Sequence, residues 1–349
     1  MFNIFVVSFS YAAALVGAGF ASGQEIISFF VRYGKASLFG IMLSSLLFGL
    51  FAAVILSKSI EFKTDCYSDY LRKLMPRPIE RLSEAVTVLY GLSVFCVMSS
   101  CCGRMGYMLF GADIRIGIAV MCALCAAVLF TGTDGAINFN AALGAVITIG
   151  TIACCIYILA YREHQTFSNN AKMTMSALSY SGYNLLTAGA VLVPMSKRIK
   201  NKTDAYLTGA VSACIMFAMM LLLWGILSIY YGKINLGEIP MLTMAMRQNT
   251  AVTVIYGLLL FAAVLSTAVS SGISTVNIIG TYTGRMPACI ITILCGLCFG
   301  MTAFSALIDT AYRYCGYVGI FVVIYILIFS VKGRKLKKNK EIKRYLSKN

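Results

Sequence analysis

The sequence predicts an all-α integral membrane protein of ten transmembrane helices, arranged as two halves of five in opposite orientations. Three observations carry this. The 349 residues are 59% hydrophobic and only 12% charged, with mean hydropathy +0.83, against about 45–50% and about 25% in soluble domains. The apolar residues gather into ten runs, and a spanning helix needs about 20 such residues. The polar stretch YREHQTFSNNAK (161–172) then divides the chain into halves of similar length.

The runs fall at 3–33, 36–57, 82–110, 114–131, 137–160, 172–195, 204–231, 251–280, 287–304 and 306–331. The predicted organisation is a first repeat over 1–160, an extracytoplasmic linker over 161–171, a second, inverted repeat over 172–331 and a basic tail over 332–349. Five spans per half force the two halves into opposite orientations. With a cytoplasmic N terminus, inside loops and tail hold 20 Lys and Arg, against eight outside. That bias places both termini in the cytoplasm of a plasma-membrane protein. A basic n-region is missing ahead of the first run, since the first basic residue is Arg32, so no cleavable leader is expected.

The net charge of +16 does not point to nucleic acid. Nine of the basic residues lie in 332–349, where a cytoplasmic tail meets anionic lipid head groups. Most of the 13 cysteines lie in apolar runs and read as small hydrophobes. The single histidine, His164, excludes His-rich metal and haem chemistry. The chain has no HExxH, phosphate loop or Cys–His pair, so no enzyme and no cofactor are expected.

The first run contains VGAGFASGQEI (16–26), with three glycines, a serine, a glutamine and an acid. Glycine weakens a helix by about 1 kcal/mol relative to alanine. Irregular backbone at membrane depth survives only against protein or a watery cavity. Gly17, Gly19 and Gly23 therefore predict a helix broken around a cavity, with freed N–H groups for an anion and freed carbonyls for a cation. The alternative is close helix packing through the Gly19/Gly23 spacing. The sixth run has a similar interruption, SYSGYN (179–184), followed by LLTAGA. The third and eighth runs match at an offset of 166 residues, VLYGLSVFCVMSS (88–100) with VIYGLLLFAAVLS (254–266).

Glu25 is an acid at membrane depth, which calls for a partner or a cavity. Arg313 in the tenth run, one turn after Asp309, is the predicted partner; solvation near Arg32 and Lys35 is the alternative. In the eighth run, VLSTAVSSG (264–272) is rich in hydroxyls. Ser266 and Thr267 there read either as oxygen ligands for a hard cation or as hydroxyls bonded to their own helix.

At these residues the chain resembles the LeuT-fold transporters of the amino acid–polyamine–organocation superfamily. YAAALVGAGFASGQEI, more narrowly, resembles the start of the YkvI-like bacterial membrane proteins. The resemblance implies a cation-coupled secondary transporter of a small amino-acid-like solute, working by alternating access about broken helices 1 and 6. A ligand-sensing receptor that keeps the fold without flux is the alternative. The amides of Ala18, Gly19 and Phe20 would hold a substrate carboxylate. Ser179, Tyr180, Ser181, Gly182, Tyr183 and Asn184 would line the opposite side, with Tyr180 or Tyr183 as an aromatic lid. Carbonyls of Ala13, Val16 and Ala263 with hydroxyls of Ser266 and Thr267 would hold Na⁺. The segment 235–245 would cap the outer vestibule. Sodium-coupled relatives pair an Arg of span one with an Asp of span ten, so Glu25, Asp309 and Arg313 imply a gate with exchanged signs or a proton-carrying acid. Proton-coupled relatives carry a Lys in span five; span five here has none, which favours Na⁺ over H⁺. The partners implied are a small-molecule solute and the lipid bilayer, with oligomeric state left open.

Overall fold

A computed structural model describes residues 2–64, 67–131, most of 146–156, 173–233, 235–301 and 308–346, and side chains as far as 329. Every regular element among the described residues is helical. The first span is three pieces: α1 (Phe2–Leu15), α2 (Ala18–Ala21) and α3 (Gln24–Phe29), followed by a 3-10 turn over Val31–Ala36. Then come α4 (Ser37–Phe62), the short α5 (Tyr67–Leu74), α6 (Arg77–Phe110) and α7 (Ile114–Thr131). The second half contributes α8 (Met173–Met195), α9 (Lys202–Tyr230), α10 (Pro240–Met246), α11 (Thr250–Thr283) and α12 (Arg285–Phe299). A π-helical turn, Ile308–Tyr312, leads into α13 (Arg313–Leu346). Most of the predicted fifth span, 137–160, and the linker 161–171 lie outside the described residues.

Six helical stretches among the described residues are long and apolar enough to cross a membrane: Val31–Phe62, Arg77–Phe110, Ile114–Thr131, Lys202–Tyr230, Thr250–Thr283 and Ile308–Phe329. Asn3–Leu15 and Arg285–Phe299 are shorter apolar helices. Large apolar side chains such as Leu89, Phe110, Leu258 and Phe321 face outward, as a lipid-facing surface requires. Helix ends are set locally. The Asn201 and Asn249 side chains accept from the amides of Asp204 and Val252 and cap α9 and α11. Pro76 and Pro78 flank Arg77 at the start of α6, and Gly111, at φ 66°, ends it.

Close helix contacts run through small residues, as expected where lipid gives helices no hydrophobic reason to associate. A methyl group on Gly49 of α4 would meet the Gly209 carbonyl of α9 at 2.7 Å. The polar contacts sort into two ends of the bundle. One end joins Asn3 to the Arg198 carbonyl, Lys58 and Lys202 to Glu61, and Tyr282 to Glu84. The other joins Arg32 to Asp309 and Arg104 to Glu238.

The sixth span corrects the sequence expectation. Helix α8 runs unbroken through 179–184. Ser181 Oγ donates to the Ala177 carbonyl at 2.9 Å and Asn184 Nδ2 to the Tyr180 carbonyl at 3.0 Å, both within the helix. Gly182 is needed for close packing instead: a side chain there would overlap the Gly316 carbonyl and come within 2.7 Å of the Ile320 amide on α13.

Candidate functional site

The site forms where the first span breaks. Backbone helicity stops at Leu15 and resumes at Ala18, then fails again at Ser22 and Gly23. Gly23 has φ 82°, a left-handed conformation that side chains other than glycine resist. The freed groups find partners from elsewhere in the chain. Tyr256 OH of α11 donates to the Ala21 carbonyl at 2.6 Å. The Met241 amide of α10 donates to the Ser22 carbonyl at 2.9 Å. Ser22 Oγ donates to the Gly19 carbonyl at 2.9 Å and accepts from the Gln24 amide at 3.3 Å. Segment 235–245 therefore does contain a loop helix, and α10 sits directly on the break.

Beside the break lies a cavity of ≈ 40 Å³, room for a few waters. Its wall includes Gly17, Glu25, Tyr90, Asn184, Thr267 and Tyr312. Thr267 of α11 rests on the break: a methyl group at Gly17 would lie 3.4 Å from its Oγ1. Glu25, in the first turn of α3, is 4% exposed. Its carboxyl folds back against Gly19, where any added side chain would overlap it. Tyr183 approaches this carboxyl, yet neither Tyr183 OH nor Glu25 Oε2 has a hydrogen-bond partner of good geometry among the described residues.

Of the residues expected to bind substrate, Asn184 alone lines this cavity. Gly19 borders it only through Glu25, and Phe20, Ser179, Tyr180, Ser181 and Tyr183 are buried in the packing around it. Ala18 begins α2, and Gly182 serves the α8–α13 contact. Of the expected sodium ligands, Thr267 reaches the cavity, while Ala13, Val16, Ala263 and Ser266 are buried close by in sequence. Thr267 Oγ1 donates to the Ala263 carbonyl at 2.8 Å.

The expected Glu25–Arg313 pair does not form. Arg313 donates to Tyr33 OH at 3.3 Å, to the Ser28 carbonyl at 3.2 Å and to the Asp309 carbonyl at 3.4 Å, and its guanidinium lies 5.1 Å from the Phe29 ring centre. Asp309 instead pairs with Arg32 at 3.0 Å and accepts from Ser28 Oγ. The signs are thus not exchanged: an Arg just after α3 meets an Asp in the π-helical turn before α13. Arg32 lies at the end of the first apolar run, 3–33, and only that position points to this role in the sequence. The pair sits at the end of the bundle away from the cavity, which extends along α8 towards Thr187 and Val191 and along α11 towards Ser274.

No protein-family model matches the chain. It is 26% identical over 276 residues to the Bacillus subtilis (strain 168) membrane protein YkvI, covering 76% of this chain and 78% of that one. Among solved structures, the Eremococcus coleocola manganese transporter bound to an aromatic bis-isothiourea compound has a TM-score of 0.66 at 13% identity, over 92% of this chain and 78% of that one. MhsT in complex with L-phenylalanine gives 0.66 at 15% identity, over 91% and 87%. A Na⁺-coupled sialic acid symporter in a substrate-bound outward-open state gives 0.52 at 14%, over 92% and 87%. These solved structures are LeuT-fold transporters, and this chain shares their fold. It is a membrane protein, related at low identity to one named as such.

Proposed function

We propose that this chain is a secondary active transporter for a small amino-acid-like solute, coupled to a cation and working by alternating access, with Na⁺ favoured over H⁺. In this reading it spans the plasma membrane ten times as two inverted repeats of five, with both termini cytoplasmic. The observation that carries the reading is the broken first span, opened at Val16–Gly17 onto a buried cavity that Thr267 and Glu25 also line. Half-helix ends at such a break offer donors and acceptors to solute and ion. Thr267 gives its hydroxyl proton to Ala263, which leaves oxygen lone pairs to face a hard cation. Glu25, Asp309 and Arg313 divide into two roles: Glu25 faces the solute, and Asp309 with Arg32 and Arg313 closes the end away from the cavity.

The test is Na⁺-gradient-driven uptake of radiolabelled amino acids by the purified protein in proteoliposomes, beside a variant carrying Ser266→Ala and Thr267→Ala. Gradient-dependent uptake is expected, and the double variant should keep its fold but lose its response to Na⁺. Folded protein that shows saturable binding without flux would favour a receptor. An unchanged Na⁺ response in the double variant would remove the ion site from Ser266 and Thr267.

A further inference from the structure

Helix α8 forms one wall of the cavity through Asn184, Thr187, Ala188 and Val191. Because it is a continuous rod, that wall moves only if the rod moves. What holds the rod lies on another of its faces. Gly182 and Gly189 are seven residues apart and so share a face, about 200° around the helix from Asn184, Thr187 and Val191. At Gly182 this face meets backbone of α13, and the two long helices must part before the contact opens. At Gly189 it meets a side chain instead: a methyl group there would come within 2.5 Å of the Tyr67 ring of α5.

Helix α5 is built to be removable. It has eight residues, too few for a helix to persist alone in water. Its seat is apolar: Tyr67, Tyr70 and Leu71 are buried, Tyr67 stacks on Tyr70 at 6.4 Å, and Tyr70 lies 6.0 Å from Phe62 at the end of α4. Its other side, with Asp69, Arg72 and Lys73, is exposed. Two ties cross that side: Arg72 Nε to Glu80 of α6 at 3.0 Å, and Lys73 Nζ to the Phe62 carbonyl at 2.8 Å. The chain leaves α4 through Lys63, at φ 49° the one non-glycine residue of positive φ among the described residues. Such a conformation is held by its surroundings rather than by its own preference. Helix α5 therefore stays formed only while its apolar side is seated.

From this arrangement we infer that α5 is a latch on the α8 rod. Seated at Gly189, Tyr67 holds α8 over the cavity and keeps the cavity shut at the end of the bundle that carries Lys58, Glu61 and Lys202. Unseated, α5 unwinds and frees that end of α8, which swings as one piece on its Gly182 contact and draws Thr187 and Val191 away from α11. A short segment that orders and disorders thus controls a long helix that does neither. The opening is a property of the fold, whatever the cavity carries.

The test uses the full-length protein in nanodiscs and reads α5 and the cavity separately. Amide hydrogen exchange over 67–74 reports the latch. Labelling of Thr187→Cys by a membrane-impermeant maleimide reports the cavity, and the segment 173–195 that carries it holds no native cysteine. Tyr67→Ala should speed exchange over 67–74 at least about tenfold, since truncating a buried ring removes much of what seats so short a helix. In the same variant, labelling of Thr187→Cys should rise several-fold while 313–329 keeps its protection. Gly189→Ala, whose methyl group displaces the ring, should do the same, and Tyr67→Phe should behave as wild type. Arg72→Gln with Lys73→Gln cuts only the exposed ties and should raise both signals less, which keeps the test decisive where Tyr67→Ala fails to fold. Faster exchange in α5 with unchanged labelling would overturn the inference and reduce α5 to packing. Unchanged exchange in Tyr67→Ala would overturn it too, as would loss of protection across all helices together.

Discussion

The first span and α8 carry the same warning signs in sequence, glycine beside serine beside a polar amide, yet one is broken and the other is a rod. The difference lies in what surrounds them. At the first span, donors arrive from distant elements: Tyr256 OH to Ala21 and the Met241 amide to Ser22. The Ala21 and Ser22 carbonyls there are met from other elements, and Gly23 takes the left-handed turn that completes the break. Around α8 the traffic runs outward. Ser176 Oγ donates to the Phe29 carbonyl at 2.8 Å, at the end of α3, and Ser179 Oγ to the Arg313 carbonyl at 2.9 Å, at the start of α13. Ser176 and Ser179 of the sixth span thus mark its neighbours' irregular ends, while Ser181 and Asn184 bond within their own helix. A polar interruption in a membrane helix therefore signals a nearby break, and which helix breaks depends on where the donors point.

The comparison is most exposed at its two glycines. Gly182→Ala meets backbone, the Gly316 carbonyl and the Ile320 amide, which can yield only if α8 and α13 move apart. Overpacking of this kind costs about 1–3 kcal/mol, occasionally more. Gly23→Ala meets the ends of Leu227 and Met241 at 2.9 Å, which can turn aside, but it also forces alanine into a left-handed conformation at about 1–2 kcal/mol. Thermal unfolding in detergent should rank Gly182→Ala as the more damaging. If Gly182→Ala were neutral or stabilising, α8 would not be clamped to α13, and the reason given for its continuity would fail.

How far the sequence reached follows the same line. The apolar runs were legible because lipid demands length and composition. The break in span one was legible because three glycines fall within seven residues of it. The rod at α8 was not, because a single Gly182 can serve either a break or a close contact, and the deciding atoms sit some 135 residues away on α13. The Glu25–Arg313 pairing failed for a related reason. Both are charges in apolar runs, but Arg313 opens α13 and reaches back to Tyr33 and Ser28, whereas Glu25 turns inward to the tyrosines. Tyr90 and Tyr312 were missed as cavity residues, though Tyr90 stood within the repeat match that also contains Tyr256. At equivalent positions of the two matching helices, one tyrosine serves the break and the other lines the cavity.

A smaller effect sharpens the distinction between outward and inward hydroxyls on α8. Ser176→Ala leaves the Phe29 carbonyl without its donor, and a buried polar group left unpaired costs about 1–3 kcal/mol. Ser181→Ala leaves the Ala177 carbonyl with its helical amide partner and adds a better helix former, so its effect should lie within about 0.5 kcal/mol of zero. Unfolding of the two variants side by side reads the difference directly. Equal losses would mean that the direction of these hydroxyls does not matter, and the account of the two spans would lose its main support.

The smallest change in stability is expected at the Arg32–Asp309 pair, where the 3-10 turn after α3 meets the π-helical turn. The two side chains are 40% and 31% exposed, and pairs this wet contribute about 0–1 kcal/mol. Asp309→Asn should therefore leave the melting temperature almost unchanged. Its consequence should appear in the balance of open and closed forms, since about 1 kcal/mol shifts a two-state ratio by about fivefold. Amide hydrogen exchange at 28–33 and 308–312 should accelerate by up to about that factor, while α8 keeps its protection. The reasoning is that the pair joins two irregular segments, each able to move without unwinding a full helix, whereas α8 is held along its length. If Asp309→Asn instead unfolded the protein as readily as Gly182→Ala, the pair would be a structural clamp, and the two ends of the first span would differ less in mobility than their geometry implies.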